Sequence, residues 1–412
     1  MNNKIKYQQC KKCLYNSFHP LGIQFNENGI CSGCEIHEEK NTLDWPFRLN
    51  KLKKIVKEYK SKKNNYDCIV PITGAQDSYY ILHIVKNVLR LNPLLVNYNK
   101  YYNTPLGIHN LSNLRIKFDC DIIFKNVNPH SVKKITKGTL DKFGSIYWHC
   151  LAGHTVFPVQ VASKMRIPLI IWGEHQGLQQ VGMFSHLHEV EMTRRYRKDH
   201  DLMGYEAEDL IKEDDFLNES DLHEYIYPED NLIEQIGIRG IYLGNYIRWD
   251  PKSQHEKMIK TYNFKSAQLP RTFDTYDYVD SYVYMGIHDI LKYYKNGFSK
   301  VTDHACREIR YGRLNKYSAK KLIKKFENKT DNYINLFCNW LNIDRRSLKF
   351  ILNENRNKNL WKEVSPNKWI KNNFYVKENL NQINKKIIYK INSNLIFKKE
   401  YKNNYITFDK GI

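Results

Sequence analysis

The chain has 412 residues, of which 42% are hydrophobic and 13% aromatic; that is enough apolar surface for one large core or two ordinary ones, and it excludes a disordered chain or a disulfide-stapled miniprotein. The 65 Lys and Arg against 44 Asp and Glu leave a net charge of +21, but the surplus is Lys-rich and travels with Asn, Ile and Tyr, a bias that favours phosphate-bearing small molecules over nucleic acid as partners. No run of 18 apolar residues occurs and the N-terminus lacks an apolar signal core, so the expected location is cytoplasmic, with no membrane span and with the cysteines reduced.

In chain order, Cys10-x2-Cys13 and Cys31-x2-Cys34 come first, bracketing 17 residues that include Gly22 and Asn28-Gly29. Each Cys-x-x-Cys places two sulfurs on one metal from a tight knuckle, and two such pairs complete a tetrahedral site closed to substrate. Residues 1–45 are therefore expected to form a ribbon around structural Zn2+. Residues 46–65 form a linker whose basic amphipathic helix, over 46–63, carries Phe47, Leu49, Leu52, Ile55 and Val56 on its apolar side.

Apolar runs at 66–72, 94–98, 121–124 and 168–172 predict strands, and helical periodicity is expected at 79–85, 108–118 and near 155–165. This alternation predicts an α/β domain over 66–330, a parallel doubly wound sheet covered on both faces. Near 185–265 the alternation yields to a polar, mostly helical insertion with an acidic stretch from 206 to 221, and 280–350 reads as helical again. Residues 331–412 read as a basic C-terminal extension that ends in a hairpin formed by 387–391 and 395–397 around Asn392-Ser393-Asn394.

Pro71-Ile72-Thr73-Gly74-Ala75-Gln76-Asp77-Ser78 lies between the first strand and first helix, where open α/β proteins bind anions. Thr73 and Ser78 offer hydroxyls, backbone N–H groups can wrap a phosphate, and Asp77 can hold Mg2+ against pyrophosphate oxygens. The same residues also suit an ordinary strand-to-helix turn capped by Asp or Ser.

This loop resembles the Ser-Gly-Gly-x-Asp-Ser pyrophosphate loop of the N-type ATP pyrophosphatases, with Thr73 for Ser and Ala75 for the second Gly. The alanine methyl would be costly if that residue needs a positive φ. More widely, the chain resembles the N-acetyl sugar amidotransferases of the PP-loop superfamily from the cysteine ribbon to about residue 325. The resemblance rests on Cys31-Ser32-Gly33-Cys34, residues 73–78, Asn110-Leu111-Ser112-Asn113-Leu114, Trp172-Gly173-Glu174, Glu191 to Tyr196, Trp249-Asp250, Thr302-Asp303-His304 and Arg310-Tyr311-Gly312-Arg313.

The resemblance implies an adenine nucleotide alpha hydrolase-like fold. It also implies an ATP-dependent ligase that converts an N-acetyl group of a surface-polysaccharide or lipopolysaccharide sugar, such as a nonulosonic acid, into an acetamidino group. The amide oxygen would attack the α-phosphorus of ATP, pyrophosphate would leave into the loop, and ammonia would displace AMP from the imidate. Thr73, Gly74, Ala75, Gln76, Asp77, Ser78, Val96, Asn97, Tyr98 and Gly173 would bind ATP with Mg2+, and Asp77, Ser78 and Glu174 would be catalytic. Arg194, Arg195, Arg197, Trp249, Asp250, Asp303, His304, Arg310 and Arg313 would bind the acetamido sugar. On residue chemistry alone, Glu174 also fits a strand-end turn, and the Arg, Asp and His residues fit solvated helix surfaces.

Cys150 lacks the first glycine of a Gly-x-Cys-x-Gly glutaminase elbow, and position 2 is Asn rather than Cys. A separate glutaminase subunit, or free ammonia, is therefore expected to supply the nitrogen. Two rivals share the loop: a tRNA-modifying pyrophosphatase, against which the scattered Cys68, Cys120 and Cys150 count, and a non-catalytic scaffold, which Ala75 would favour.

Overall fold

A computed structural model describes residues 7–62, 65–213, 216–330 and 333–372. The cysteine module comes first. Isolated antiparallel bridges Gln9–Asn16 and Phe25–Cys31 shape its two knuckles, and the second runs into helix α1 (Ser32–Glu39). Helix α2 (Trp45–Glu58) follows, started by Asp44, whose side chain accepts from the Phe47 N–H, and by Pro46 in the first turn.

The expected strands form β1 (Cys68–Pro71), β2 (Pro93–Tyr98), β3 (Ile122–Lys125) and β4 (Leu169–Trp172), and a fifth, β5 (Arg239–Tyr242), joins them. All pairings are parallel and the order is β3-β2-β1-β4-β5. The crossovers use α3 (Gln76–Leu82, prolonged as π-helical turns through Val88), α4 (Pro105–Phe118), α5 (Pro129–Phe143) and α6 (Trp148–Met165).

Successive strand residues serve opposite faces. Val70, Leu95 and Ile171 pack with Leu82, Leu111 and Leu114 of α3 and α4, whereas Ile69, Leu94 and Ile170 pack with Val156, Val159 and Ala162 of α6. Each such fully buried side chain contributes about 1.5–3 kcal/mol of transfer free energy, so the sheet is fixed from both sides.

Two elements depart from the sequence expectation. The polar insertion near 185–265 is not mostly helical throughout, since it contributes β5 to the sheet. That strand holds one large apolar side chain, Ile241, fully buried in the α3–α4 core, too little for a periodicity signal. Helix α5 was not expected because its inner face uses Thr136 and Thr139, whose hydroxyls bond back to the Val132 and Ile135 carbonyls.

Beyond residue 330, where an extension is expected, Phe337, Trp340, Leu341, Leu348 and Leu352 pack in one core with Val132, Ile135, Trp148 and Val283. A short antiparallel hairpin, β6 (Trp361–Ser365) with β7 (Lys368–Lys371), follows. The hairpin expected at 387–397 lies outside the described residues. Among the described residues no helix is long and apolar enough to cross a membrane.

In the order β3-β2-β1-β4-β5 the connections leaving β1 and β4 diverge, and this opens a crevice beyond their C-terminal ends. Residues 72–75 and Gly173-Glu174 occupy that edge.

Candidate active site

The loop after β1 is braced by its own hydroxyls. Ser78 Oγ accepts from the Thr73 N–H at 2.8 Å, and Thr73 Oγ1 accepts from the Ala75 N–H at 3.1 Å. Both hydroxyls thus act as acceptors within the loop and keep their own protons for an anion. Ala75 is the N-cap of α3 with φ −91° and ψ 166°, extended backbone open to any residue, so the methyl carries no left-handed strain and the cost anticipated for it does not arise. The position that does demand glycine is Gly74. A methyl there would come within 2.8 Å of the Gly107 carbonyl carbon, and closer still to its oxygen.

Two cavities meet beside this loop. The first, about 220 Å³, takes in Thr73 and Ala75 to Ser78, the strand-end residues Val96 and Tyr98, and Gly173. The second, about 130 Å³, is bounded by Glu174 of the β4 edge, by Tyr15, His37 and Lys40 of the cysteine module, and by Asp303, His304, Arg307 and Arg310 of the helix Lys300–Arg310. Asp77, Asp277 and Tyr278 line both. Tyr278 holds φ at +55°, a costly conformation for a bulky residue, with its ring stacked on Tyr284 at 3.5 Å between centroids.

The shared wall is crowded with carboxylates. Burial raises the Asp77 pKa well above the usual range, and Glu174 and Asp277 add to the rise. Burial also pushes Glu174 up to about 7, with Lys40 opposing and Asp277 reinforcing the shift. Lys40 is itself brought down to about 8, chiefly by burial; its ammonium bonds Gln179 and, at 3.4 Å, the Trp249 carbonyl. A divalent cation would relieve this crowding, so the donor set suits Mg2+ at Asp77.

The four cysteines converge, with all their sulfurs within 4.8 Å of one another. The Cys10–Cys34 and Cys13–Cys31 separations are 4.0 and 3.6 Å, bracketing the roughly 3.8 Å between sulfurs of a tetrahedral zinc with Zn–S near 2.3 Å. Backbone N–H groups of Lys12, Cys13 and Cys31 point at Cys10 Sγ, each at 3.3 Å, as a thiolate requires.

The remaining sequence candidates divide. Asp303 and His304 line the second cavity; Asp303 binds Lys292 and accepts from Tyr15 Oη at 3.0 Å, and His304 Nε2 meets Asp277 Oδ2 at 3.0 Å. Arg310 also lines it, anchored on the Gln179 and Gln180 carbonyls and 3.7 Å from Cys31 Sγ. Asp250 and Arg313 bind each other at 2.9 Å, and Trp249 is fully buried beneath Gly173; none of these three lines either of the two cavities. Asn97 likewise braces the loop from outside, donating to the Ile72 carbonyl at 2.8 Å. Arg194 and Arg197 both grip Glu206, while Arg195 is 92% exposed. These arginines lie away from both cavities because a local carboxylate or solvent already satisfies them.

Sequence reading missed Lys40, Asp277, Asp280 and Arg307. For the aspartates a signal existed, since Asp274, Asp277 and Asp280 recur every third residue through an aromatic stretch. Lys40 had none amid so many lysines. No cysteine lines either cavity among the described residues, which leaves the sulfur-transfer rival without a thiol there.

Residues 270–374 match the family model of the LPS biosynthesis protein WbpG-like C-terminal domain. The segment includes Asp277, Asp303, His304 and Arg310 and runs past residue 330. The uncharacterized protein MJ1599 of Methanocaldococcus jannaschii is 30% identical over 122 residues, 29% of this chain and 42% of that protein, so the chain spans less than half the length of this relative. The NH3-dependent NAD synthetase of Campylobacter jejuni, solved with a nitrate ion, aligns at 12% identity and a TM-score of 0.28, covering 47% of this chain and 92% of that one.

Proposed function

We propose that the chain, whose residues 270–374 match the model of a WbpG-like C-terminal domain, is an N-acetyl sugar amidotransferase-like enzyme that uses ATP and ammonia to convert a sugar acetamido group into an acetamidino group. One observation carries the reading: a hydroxyl-braced anion loop and a charged chamber open onto a common wall of Asp77, Asp277 and Tyr278. Such a wall is where an α-phosphorus on one side can meet an amide oxygen on the other.

An amide resists ammonia because its oxygen leaves poorly, so the oxygen must first be adenylated. The loop hydroxyls of Thr73 and Ser78 would donate to the departing pyrophosphate, and the N-terminus of α3 would stabilise its charge. Asp77 would hold Mg2+, which supplies charge neutralisation when bound. Glu174, poised near neutrality, would take a proton from ammonia as it adds to the imidate carbon. The acetamido sugar would occupy the second cavity, facing Asp303, His304 and Arg310. The cysteine centre would hold Zn2+ in a structural role, since its four ligand positions are filled by thiolates.

The nitrogen donor would be a separate glutaminase subunit or free ammonium, and the purified chain should not hydrolyse glutamine. ATP–pyrophosphate exchange that depends on an added acetamido sugar tests the reading. Exchange confined to the presence of the sugar supports it, and sugar-independent ATP hydrolysis to ADP sinks it.

A further inference from the structure

The cavity beside the loop carries a pattern that phosphate binding leaves unused. Its walls are largely apolar, with Ile72, Ile81, Val96, Leu151 and Pro158 among them, a lining suited to a flat heterocycle. Set into this lining are buried polar atoms with no hydrogen-bond partner among the described residues. Asp280, 2% exposed, uses one carboxylate oxygen on Lys100 and leaves Oδ1 without a donor. His154 of α6, in the field of the same Lys100–Asp280 pair, leaves Nε2 open. Burial keeps that imidazole neutral by bringing it down to about 4, and its hydrogen bond to the Tyr98 backbone holds the ring proton on the other nitrogen, so Nε2 can accept.

We infer that the cavity selects its nucleotide by the exocyclic amino group of a 6-aminopurine, received by Asp280 Oδ1 and His154 Nε2. Adenine carries two N–H bonds at that position, matching two acceptors. A 6-oxopurine would present a carbonyl oxygen to the same atoms, leaving them unpaired and in repulsion. The inference rests on the ATP reading above and adds which atoms distinguish ATP from GTP or ITP.

Calorimetric titration of the full chain with the magnesium salts of ATP, ITP and GTP tests it. ATP should bind roughly 30-fold or more tightly than ITP and GTP. Asp280→Asn and His154→Gln each place an amide donor at the site, so either should narrow the ATP-to-ITP ratio by about tenfold. His154→Gln leaves the Lys100–Asp280 pair intact and serves if the first variant fails to fold. Equal wild-type affinities for ATP and ITP would overturn the inference while leaving the ATP reading standing. A gap unchanged in folded variants would overturn it by moving selection to other atoms. Binding of none of the three would instead bring down the ATP reading itself.

Discussion

The close approach of Gly74 to Gly107 sets up a paired test of the loop. In Gly74→Ala the new methyl meets the Gly107 carbonyl carbon at 2.8 Å and its Cα at 3.0 Å, and neither can swing aside because both are backbone. Gly107 has little room of its own, since a Cβ built on it would lie 2.5 Å from the Asp280 Cα. The two backbones must therefore part by roughly half an ångström or more, an overpacking that costs about 1–3 kcal/mol. If the loop is the anion cradle proposed above, displacement on this scale should lower turnover by up to about 10²-fold. Ala75→Gly is the control: it restores the usual loop glycine, but the native backbone is already extended, so no strain is released and only about 0.5–1 kcal/mol of chain entropy is lost. Thermal unfolding and ATP titration of both variants read the outcome. A Gly74→Ala protein with wild-type melting temperature and wild-type ATP affinity would refute the reasoning, as would a tenfold gain in affinity from Ala75→Gly.

Four further outcomes are expected. Glu174, raised to about 7 by burial, favours the folded state in its protonated form; its contribution is full below the unfolded carboxyl range near 4.5 and is lost as pH climbs through 7, so Glu174→Gln should flatten the pH dependence of unfolding across that window. The same substitution should remove the rise of amidine formation with pH near 7 when product formation is measured at a fixed concentration of free NH3. Cys13→Ser should abolish stoichiometric zinc in elemental analysis and lower the melting temperature, because the ribbon core with Tyr15, Phe298 and Val301 assembles around the cysteines. Arg195→Ala should be neutral within about 0.5 kcal/mol, whereas Arg197→Ala, which strips Glu206 of one buried partner but leaves Arg194 in place, should cost about 1–3 kcal/mol in denaturant titration.

The main strands were legible because β1, β2 and β4 are buried on both faces and write uninterrupted apolar runs. β5 was hidden because an edge strand of Arg239-Gly240-Ile241-Tyr242 needs only one large apolar residue. The cysteine spacing announced its cluster because metal geometry is local, two knuckles of four residues each. The loop at 73–78 was equally local. The second cavity was not, since it gathers Lys40, Glu174, Asp277 and Arg307 from four separate stretches, and only the packing of the ribbon against the helix Lys300–Arg310 brings them together. Arg194 and Arg197 pair inside the protein for the converse reason: a forked donor suits a substrate carboxylate and a protein carboxylate alike, and Glu206, nine residues on from Arg197, is invisible as a partner until the chain folds.

The most direct test of the adenylated imidate follows the amide oxygen itself. An acetamido sugar labelled with 18O in its acetyl carbonyl, turned over with ATP and ammonium, is predicted to deliver the label to the phosphate of AMP, with unlabelled pyrophosphate as co-product. Label appearing in orthophosphate or released to water, with AMP unlabelled, would contradict the account.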